Sequence, residues 1–292
     1  MTAVIELDSV TKHYGRTRAL DGLTLRVEEG QVHGFLGPNG AGKTTTMRVL
    51  LGLLGVTSGR VAVFGLDPWK DVPAIHARLA YVPGDVTLWP NLTGGETLDI
   101  LARLHGGGGD RQRWLDLFDL DPTRKNRTYS KGNRQKVALV AAFAADPDLL
   151  ILDEPTSGLD PLVDQAFVQA VRGERARGKT ILLSSHILSE VERLCDWVSI
   201  IREGRLVDSA PLASLRGAQQ TLVTARVGRR PDLALEGVSV LEDSDDQLRL
   251  SATAAALPEV MRRLADAWVY NLETGAPSLE DVFLAHYQPT GS

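Results

Sequence analysis

The sequence predicts an α/β fold: a mainly parallel core sheet, an antiparallel β subdomain at its start, a helical subdomain at about 85–145, and a small C-terminal α+β domain at 217–292. Three observations lead there. Apolar runs of strand length alternate with longer helical patterns over residues 1–216, the pattern of a parallel sheet with helical crossovers. A glycine-rich turn stands between an apolar strand and an apolar-periodic helix. Charge is divided unevenly, with 26 basic and 26 acidic residues up to Arg216 but 6 and 11 after it, and every Lys lies before 217.

Taken in order, Val4–Val10 and Gly22–Val27 alternate apolar and polar residues around Gly15, as two antiparallel strands with one wet face do. Val32–Leu36 and Leu149–Leu152 carry almost no polar side chains and fit strands covered on both faces. Between them Thr93–Leu104, Trp114–Leu117 and Gln135–Ala145 have helical spacing, with Gly106–Gly109 as a flexible loop. Thr180–Ser184 is a further strand. Pro211, Gly217 and the Gln219–Gln220 pair mark a seam, placed at 216. Beyond it Thr221–Val227, Val238–Glu242, Gln247–Ser251 and Trp268–Leu272 read as strands. Leu257–Ala265 reads as a helix, and Ser278–His286 as a last helix capped by Ser278.

Length and composition narrow the classes of function. The 292 residues suit two domains, and 43% hydrophobic with 24% charged residues excludes intrinsic disorder and fibrous repeats. The longest apolar stretch, Val137–Ala145, is closed by Lys136 and Asp146 and falls short of the ~18 residues of a membrane span. Glu6, Asp8 and Lys12 interrupt any leader-like apolar core, so no secretory signal is expected. Cys195 is the single cysteine, which excludes an intrachain disulfide and suits the cytoplasm. The six histidines are scattered and no CxxC occurs, so no metal other than Mg²⁺ is expected. Arg124–Arg127 is the densest basic cluster. Without interleaved aromatics in an acidic chain it reads as a solvated helix end, and no nucleic-acid partner is expected.

Two segments carry chemistry. Gly37, Pro38, Asn39, Gly40, Ala41, Gly42, Lys43 and Thr44, followed by Thr45, match G-x-x-x-x-G-K-[ST] in its required strand-to-helix setting. Glycines there let successive N–H groups turn inward on phosphates, Lys43 reaches the terminal ones, and the Thr44 hydroxyl completes an Mg²⁺ shell. Leu149–Glu154 is a buried strand ending in two carboxylates. Asp153 is placed to hold Mg²⁺ through water, and Glu154 to orient and deprotonate an attacking water.

Over Val4–Arg216 the chain resembles the nucleotide-binding subunit of ATP-binding cassette (ABC) proteins, a P-loop NTPase family. The decisive residues are Tyr129-Ser130-Lys131-Gly132-Asn133-Arg134-Gln135-Lys136, similar to the family signature LSGGQ and standing shortly before the Asp153–Glu154 strand. Lys131 replaces the first signature glycine and Asn133 the glutamine, while Ser130 and Gly132 are kept. The resemblance implies that this helix N-terminus binds the γ-phosphate held by an opposite subunit. It further implies that Tyr14 stacks on adenine, that Ser157-Gly158-Leu159-Asp160 crosses the dimer interface, and that His186 contacts the γ-phosphate and helps hold the water. Where the family has Gln after Tyr-x-Pro, Tyr81-Val82-Pro83 is followed by Gly84 and Asp85. Asp85 or a water is then left to fill that place beside Mg²⁺.

The function so implied is ATP hydrolysis with Mg²⁺ by a dimer, with itself or with a homologous subunit. Closure on two ATP would drive a separate transmembrane permease, with this chain peripheral on the inner membrane face. The signature, the Tyr-x-Pro-Gly string and Pro277–Leu284 resemble the drug and antibiotic exporter group. The alternative is a soluble ABC module acting on ribosomes or DNA, which generally carries two cassettes or a long coiled-coil insertion. A non-hydrolysing regulator is the third reading, and intact Glu154 and His186 weigh against it.

Overall fold

The computed structural model describes residues 2–106, 109–215, 220–244 and 247–275. The chain divides into two compact units, Met1–Ala210 and Pro211–Ser292. This division falls slightly ahead of the compositional seam.

In the first unit, β1 (Ala3–Tyr14) and β2 (Thr17–Glu28) pair antiparallel about Gly15, which takes φ 57. After β3 (Val32–Leu36) and α1 (Lys43–Leu50), the chain returns as β4 (Ser58–Val63), which pairs with the other side of β1 to give the order β2-β1-β4. The alternating apolar residues of these strands face inward. Ile5, Val10, Leu20, Leu23 and Val63 join Met47 and Leu50 of α1 in one core. The short α2 (Val72–His76) then leads to β5 (Leu79–Val82).

Three α-helices follow before the next strand. The first, α3 (Gly94–Leu104), opens with a capping box in which Thr93 and Glu96 satisfy one another's backbone N–H groups. Asp110 caps α4 (Arg111–Leu117), and Ser130 caps α5 (Lys131–Ala144), accepting a bond from Asn133 N. This cap starts α5 four residues ahead of the Gln135 start that hydrophobic spacing suggests. Spacing registers only the buried face of the helix, and the first turn is polar. Trp114, Phe118 and Phe143 hold α4 on α5, with 4.8 Å between the Trp114 and Phe143 centroids.

The rest of the unit is β6 (Leu149–Asp153), α6 (Pro161–Ala176), β7 (Thr180–Ser185), α7 (Leu188–Leu194), β8 (Trp197–Arg202) and β9 (Arg205–Pro211). They complete a six-stranded sheet of order β5-β6-β7-β3-β8-β9, in which β5 to β8 run parallel. Strands β3, β6 and β7 are buried at every residue, as expected for parallel strands covered on both faces. The carboxyl ends of all three therefore reach one edge of the sheet, where ligands of open α/β sheets collect.

The second unit begins with α8 (Leu212–Leu215). Strands β10 (Gln220–Val227), β11 (Val238–Asp243), β12 (Leu248–Thr253) and β13 (Val269–Gly275) form an antiparallel sheet of order β11-β12-β10-β13. Helix α9 (Leu257–Asp266) lies on one face, with Val260 and Leu264 packed on Val223, Ala225, Leu248 and Leu250. The helix expected at Ser278–His286 lies outside the described residues, as do positions 107 and 108 of the glycine loop.

One buried polar residue in the core sheet has a measurable consequence. His33 of β3 is wholly buried, with Nε2 2.8 Å from Ser199 Oγ and no partner for Nδ1 among the described residues. Burial pushes its pKa from 6.5 down to about 3. The unfolded chain protonates this histidine as pH falls through 6.5, whereas the folded chain resists until about pH 3. Within that window stability is lost toward low pH, at up to about 1.4 kcal/mol per pH unit from this group. Denaturant midpoints measured against pH will show this slope in the wild type and a shallower one in His33→Gln. Parallel profiles exclude the assignment.

Candidate nucleotide site

The loop from Gly37 to Lys43 joins β3 to α1 and is shaped by its surroundings before any ligand enters. A Cβ on Gly37 would lie 2.5 Å from the Ile201 carbonyl of β8. Gly42 is constrained twice: its φ is 114, and a Cβ would lie 2.8 Å from the Ala19 carbonyl. From this turn α1 begins with the N–H groups of Lys43, Thr44 and Thr45 pointing out of its first turn, without hydrogen-bond partners among the described residues. They form the anion-binding end of a helix dipole.

Lys43 folds back over the loop. Its Nζ donates to the carbonyls of Gly37 at 2.6 Å and Pro38 at 3.1 Å, and only 5% of the residue is exposed. Burial lowers its pKa, and the Coulombic pull of Glu154 and then Asp153 acts against that fall.

The two carboxylates come from the end of β6. Asp153 is 3% exposed and accepts a short hydrogen bond from Ser184 Oγ of β7. Glu154 turns the chain away from the strand with φ 48, in the left-handed region that costs a non-glycine residue about 1–3 kcal/mol, while its N–H donates to Ser184 O at 3.0 Å. This turn aims its Oε1 at two partners, His186 Nδ1 at 3.2 Å and Lys43 Nζ at 3.6 Å. The three residues read from sequence as the reacting set therefore meet at one oxygen. Tyr14 ends β1 with 46% of its surface exposed, and Lys12 Nζ lies 5.4 Å from its ring centroid.

The signature residues form a second cluster. Ser130 Oγ caps α5, and Gly132 packs so closely that a Cβ would lie 2.6 Å from the Gly158 carbonyl. Lys131, the departure from the family pattern, donates from Nζ to Ser157 Oγ at 2.9 Å. Asp160 acts locally, where its Oδ1 accepts from Leu162 N and Val163 N, both at 3.0 Å, and so caps α6. The backbone bond from Ser157 N to Glu154 O links this cluster to the first at 3.2 Å. No hydrogen bond or ion pair among the described residues runs from Ser130 or Gly132 to Lys43, Glu154 or His186.

At the joint between sheet and helices, a Cβ on Gly84 would lie 3.1 Å from the Asp153 carbonyl, so the chain passes close to the Mg²⁺ candidate. Asp85 is exposed and makes no hydrogen bond or ion pair among the described residues. Gln135 of α5 donates to the Pro83 carbonyl at 3.4 Å, a tie between α5 and this joint that sequence reasoning misses. It misses Ser184 as well. There the signal is local, since a polar residue in an otherwise apolar strand needs a partner.

The ABC transporter family profile matches residues 20–157. The daunorubicin resistance ATP-binding protein DrrA3 of Streptomyces coeruleorubidus is 38% identical over 96% of this chain and 94% of its own length. The chain belongs to the ABC transporter ATP-binding family. The bacitracin transport ATP-binding protein BcrA of Enterococcus faecalis is 32% identical over 97% of this chain and 96% of its own. A solved ATP-binding subunit of an ABC transporter, 32% identical, superposes with a TM-score of 0.69 over 73% of this chain and 92% of that one. As a member of this family the chain is an ATPase with a nucleotide-binding cassette of α/β class. No helix among the described residues is long and apolar enough to cross a membrane.

Strain and space at the loop make separable predictions. Gly42→Ala, which meets both, is expected to lower ATP affinity at least tenfold by calorimetry. Gly40→Ala, strained at φ 82 but with open space around the added carbon, is expected to lose less. Equal losses would show that the contact with Ala19 carries no weight.

Proposed function

We propose that this chain is the ATP-hydrolysing subunit of an exporter for a drug-like or antibiotic substrate, working on the inner membrane face with a separate permease. The observation that carries the reading is the likeness to the daunorubicin-resistance and bacitracin-transport subunits, which runs over 96% and 97% of the chain, through its C-terminal unit. The same full-length likeness disfavours a ribosome- or DNA-acting module. Among the described residues no hydrogen bond or ion pair joins Ser130 or Gly132 to Lys43, Glu154 or His186, which supports a dimer whose sites each combine Lys43 and Glu154 of one subunit with Ser130 and Gly132 of the other.

In this mechanism the phosphates replace the carbonyls that hold Lys43, so the ammonium exchanges two neutral acceptors for charged ones. The first-turn N–H groups of α1 and the loop from Gly37 to Gly42 bind the phosphate oxygens, and Tyr14 stacks on the base. Glu154, held by His186 and by its own strained backbone, orients the attacking water and takes its proton. His186 Nδ1 keeps that carboxylate turned toward the reacting end.

Thr44 and Asp153 fit Mg²⁺, being hard oxygen donors with Asp153 fixed by Ser184. Held by these residues, Mg²⁺ would neutralise charge on the phosphate oxygens. Asp85, exposed and without a hydrogen bond or ion pair among the described residues, is the weaker candidate.

Glu154→Gln is expected to bind ATP and accumulate as a closed dimer by size exclusion, with turnover lowered by about 10²- to 10⁴-fold. Unchanged turnover removes Glu154 from the mechanism. Isolation of the tagged chain from gently solubilised membranes of its host should bring down a multi-span polypeptide in stoichiometric amount. Recovery with ribosomes or nucleic acid overturns the export reading.

A further inference from the structure

Glu190 is a buried acid that the mechanism above leaves unused. It lies in the first turn of α7 and is 1% exposed. Its Oε2 accepts a hydrogen bond from Ser185 Oγ at the end of β7, and its Oε1 has no partner among the described residues. Burial raises its pKa. The hydroxyls of Ser185 and Thr156 act against the rise, Asp164 of α6 adds to it, and Arg193 on the same helix opposes it. A carboxyl held so dry with one oxygen unmatched is unfavourable for folding, and an apolar side chain of similar shape would avoid the penalty.

The bonds around Glu190 bracket one functional residue. The residue before α7 is Ile187, and its N–H donates to Ser185 Oγ at 2.9 Å. Ser185 in turn is fixed by Glu190. His186 stands between these two residues, and its side chain is 48% exposed. Little packing fixes the ring. Its direction depends on the backbone of 185–187 and on the contact with Glu154. Thr156, whose hydroxyl also acts on Glu190, belongs to the turn that leaves Glu154.

We propose that Glu190 is a positioning residue for ATP hydrolysis, clamping Ser185 and Ile187 so that His186 stays within reach of Glu154. The clamp does not touch nucleotide, so it acts on turnover and spares binding. It rests on the roles proposed for His186 and Glu154.

The test compares Glu190→Ala, Glu190→Gln, Ser185→Ala and His186→Ala in the full chain. Glu190→Ala is expected to lower kcat at least tenfold, to leave KM and ATP affinity within twofold, and to speed amide exchange at Ile187. Glu190→Gln, of the same shape and able to accept the Ser185 bond, is expected to recover most of the lost turnover. Ser185→Ala should reproduce the loss, and it supplies the same readout if Glu190→Ala does not fold. Glu190→Ala combined with His186→Ala should be no slower than His186→Ala alone, because a residue acting through another adds nothing once that residue is gone. Additive losses, unchanged kcat, or a parallel fall in ATP affinity overturn the clamp. If His186→Ala turns over normally, the role proposed for His186 fails, and Ile187 exchange in Glu190→Ala then decides whether the tether exists.

Discussion

An ammonium group shut away from water must be given acceptors, and the site is organised around doing so for Lys43. Two loop carbonyls meet it directly, and Glu154 stands at 3.6 Å. The carbonyls are within reach because the turn from Gly37 to Gly42 curls tightly, with Gly37 and Gly42 bare of side chains where the Ile201 and Ala19 carbonyls approach. Glu154 is within reach only because β7 lies between β3 and β6, so that three strand ends open side by side. Burial lowers the pKa of Lys43, and Glu154 and then Asp153 oppose that fall. A closely packed sheet edge thus keeps a cation ready for phosphate.

Residues close in sequence declare themselves well. Val32–Leu36 is strand β3 to the residue, whereas the polar first turn of α5 hides its start at Ser130 from hydrophobic spacing. Asp160 shows how a local signal can be overlooked. Asp followed by Pro is a helix-start pattern, and the structure uses it as one, although the family resemblance draws attention to the subunit interface instead. Strands β5 and β8 do not stand out in the sequence, the first because four residues carry too little periodicity to separate strand from helix. The sheet order, with β3 between β7 and β8, rests on contacts between distant segments that no window of sequence contains.

The site shows the same division. The loop, Asp153 and Glu154 are legible because each motif is continuous in the chain. The meeting of His186 with Glu154 depends on β6 and β7 being neighbours, and the bond from Lys131 to Ser157 on two loops packing together. In sequence Lys131 is a departure from a pattern. In the fold it is a tether, with its stem lying along Gly158.

Gly132 carries a consequence for how substitutions in the signature are interpreted. A side chain there collides with the carbonyl of Gly158 within the same subunit, so the position is closed to larger residues before any nucleotide or second subunit arrives. In the dimer proposed above, a defect produced at this position would combine two origins, a displaced Ser157–Gly158 turn in one chain and an altered phosphate contact in its neighbour. Mixed dimers with the change in only one subunit separate them. In that dimer the displaced turn would affect the site built on the changed subunit's own Glu154, and the altered contact the opposite site.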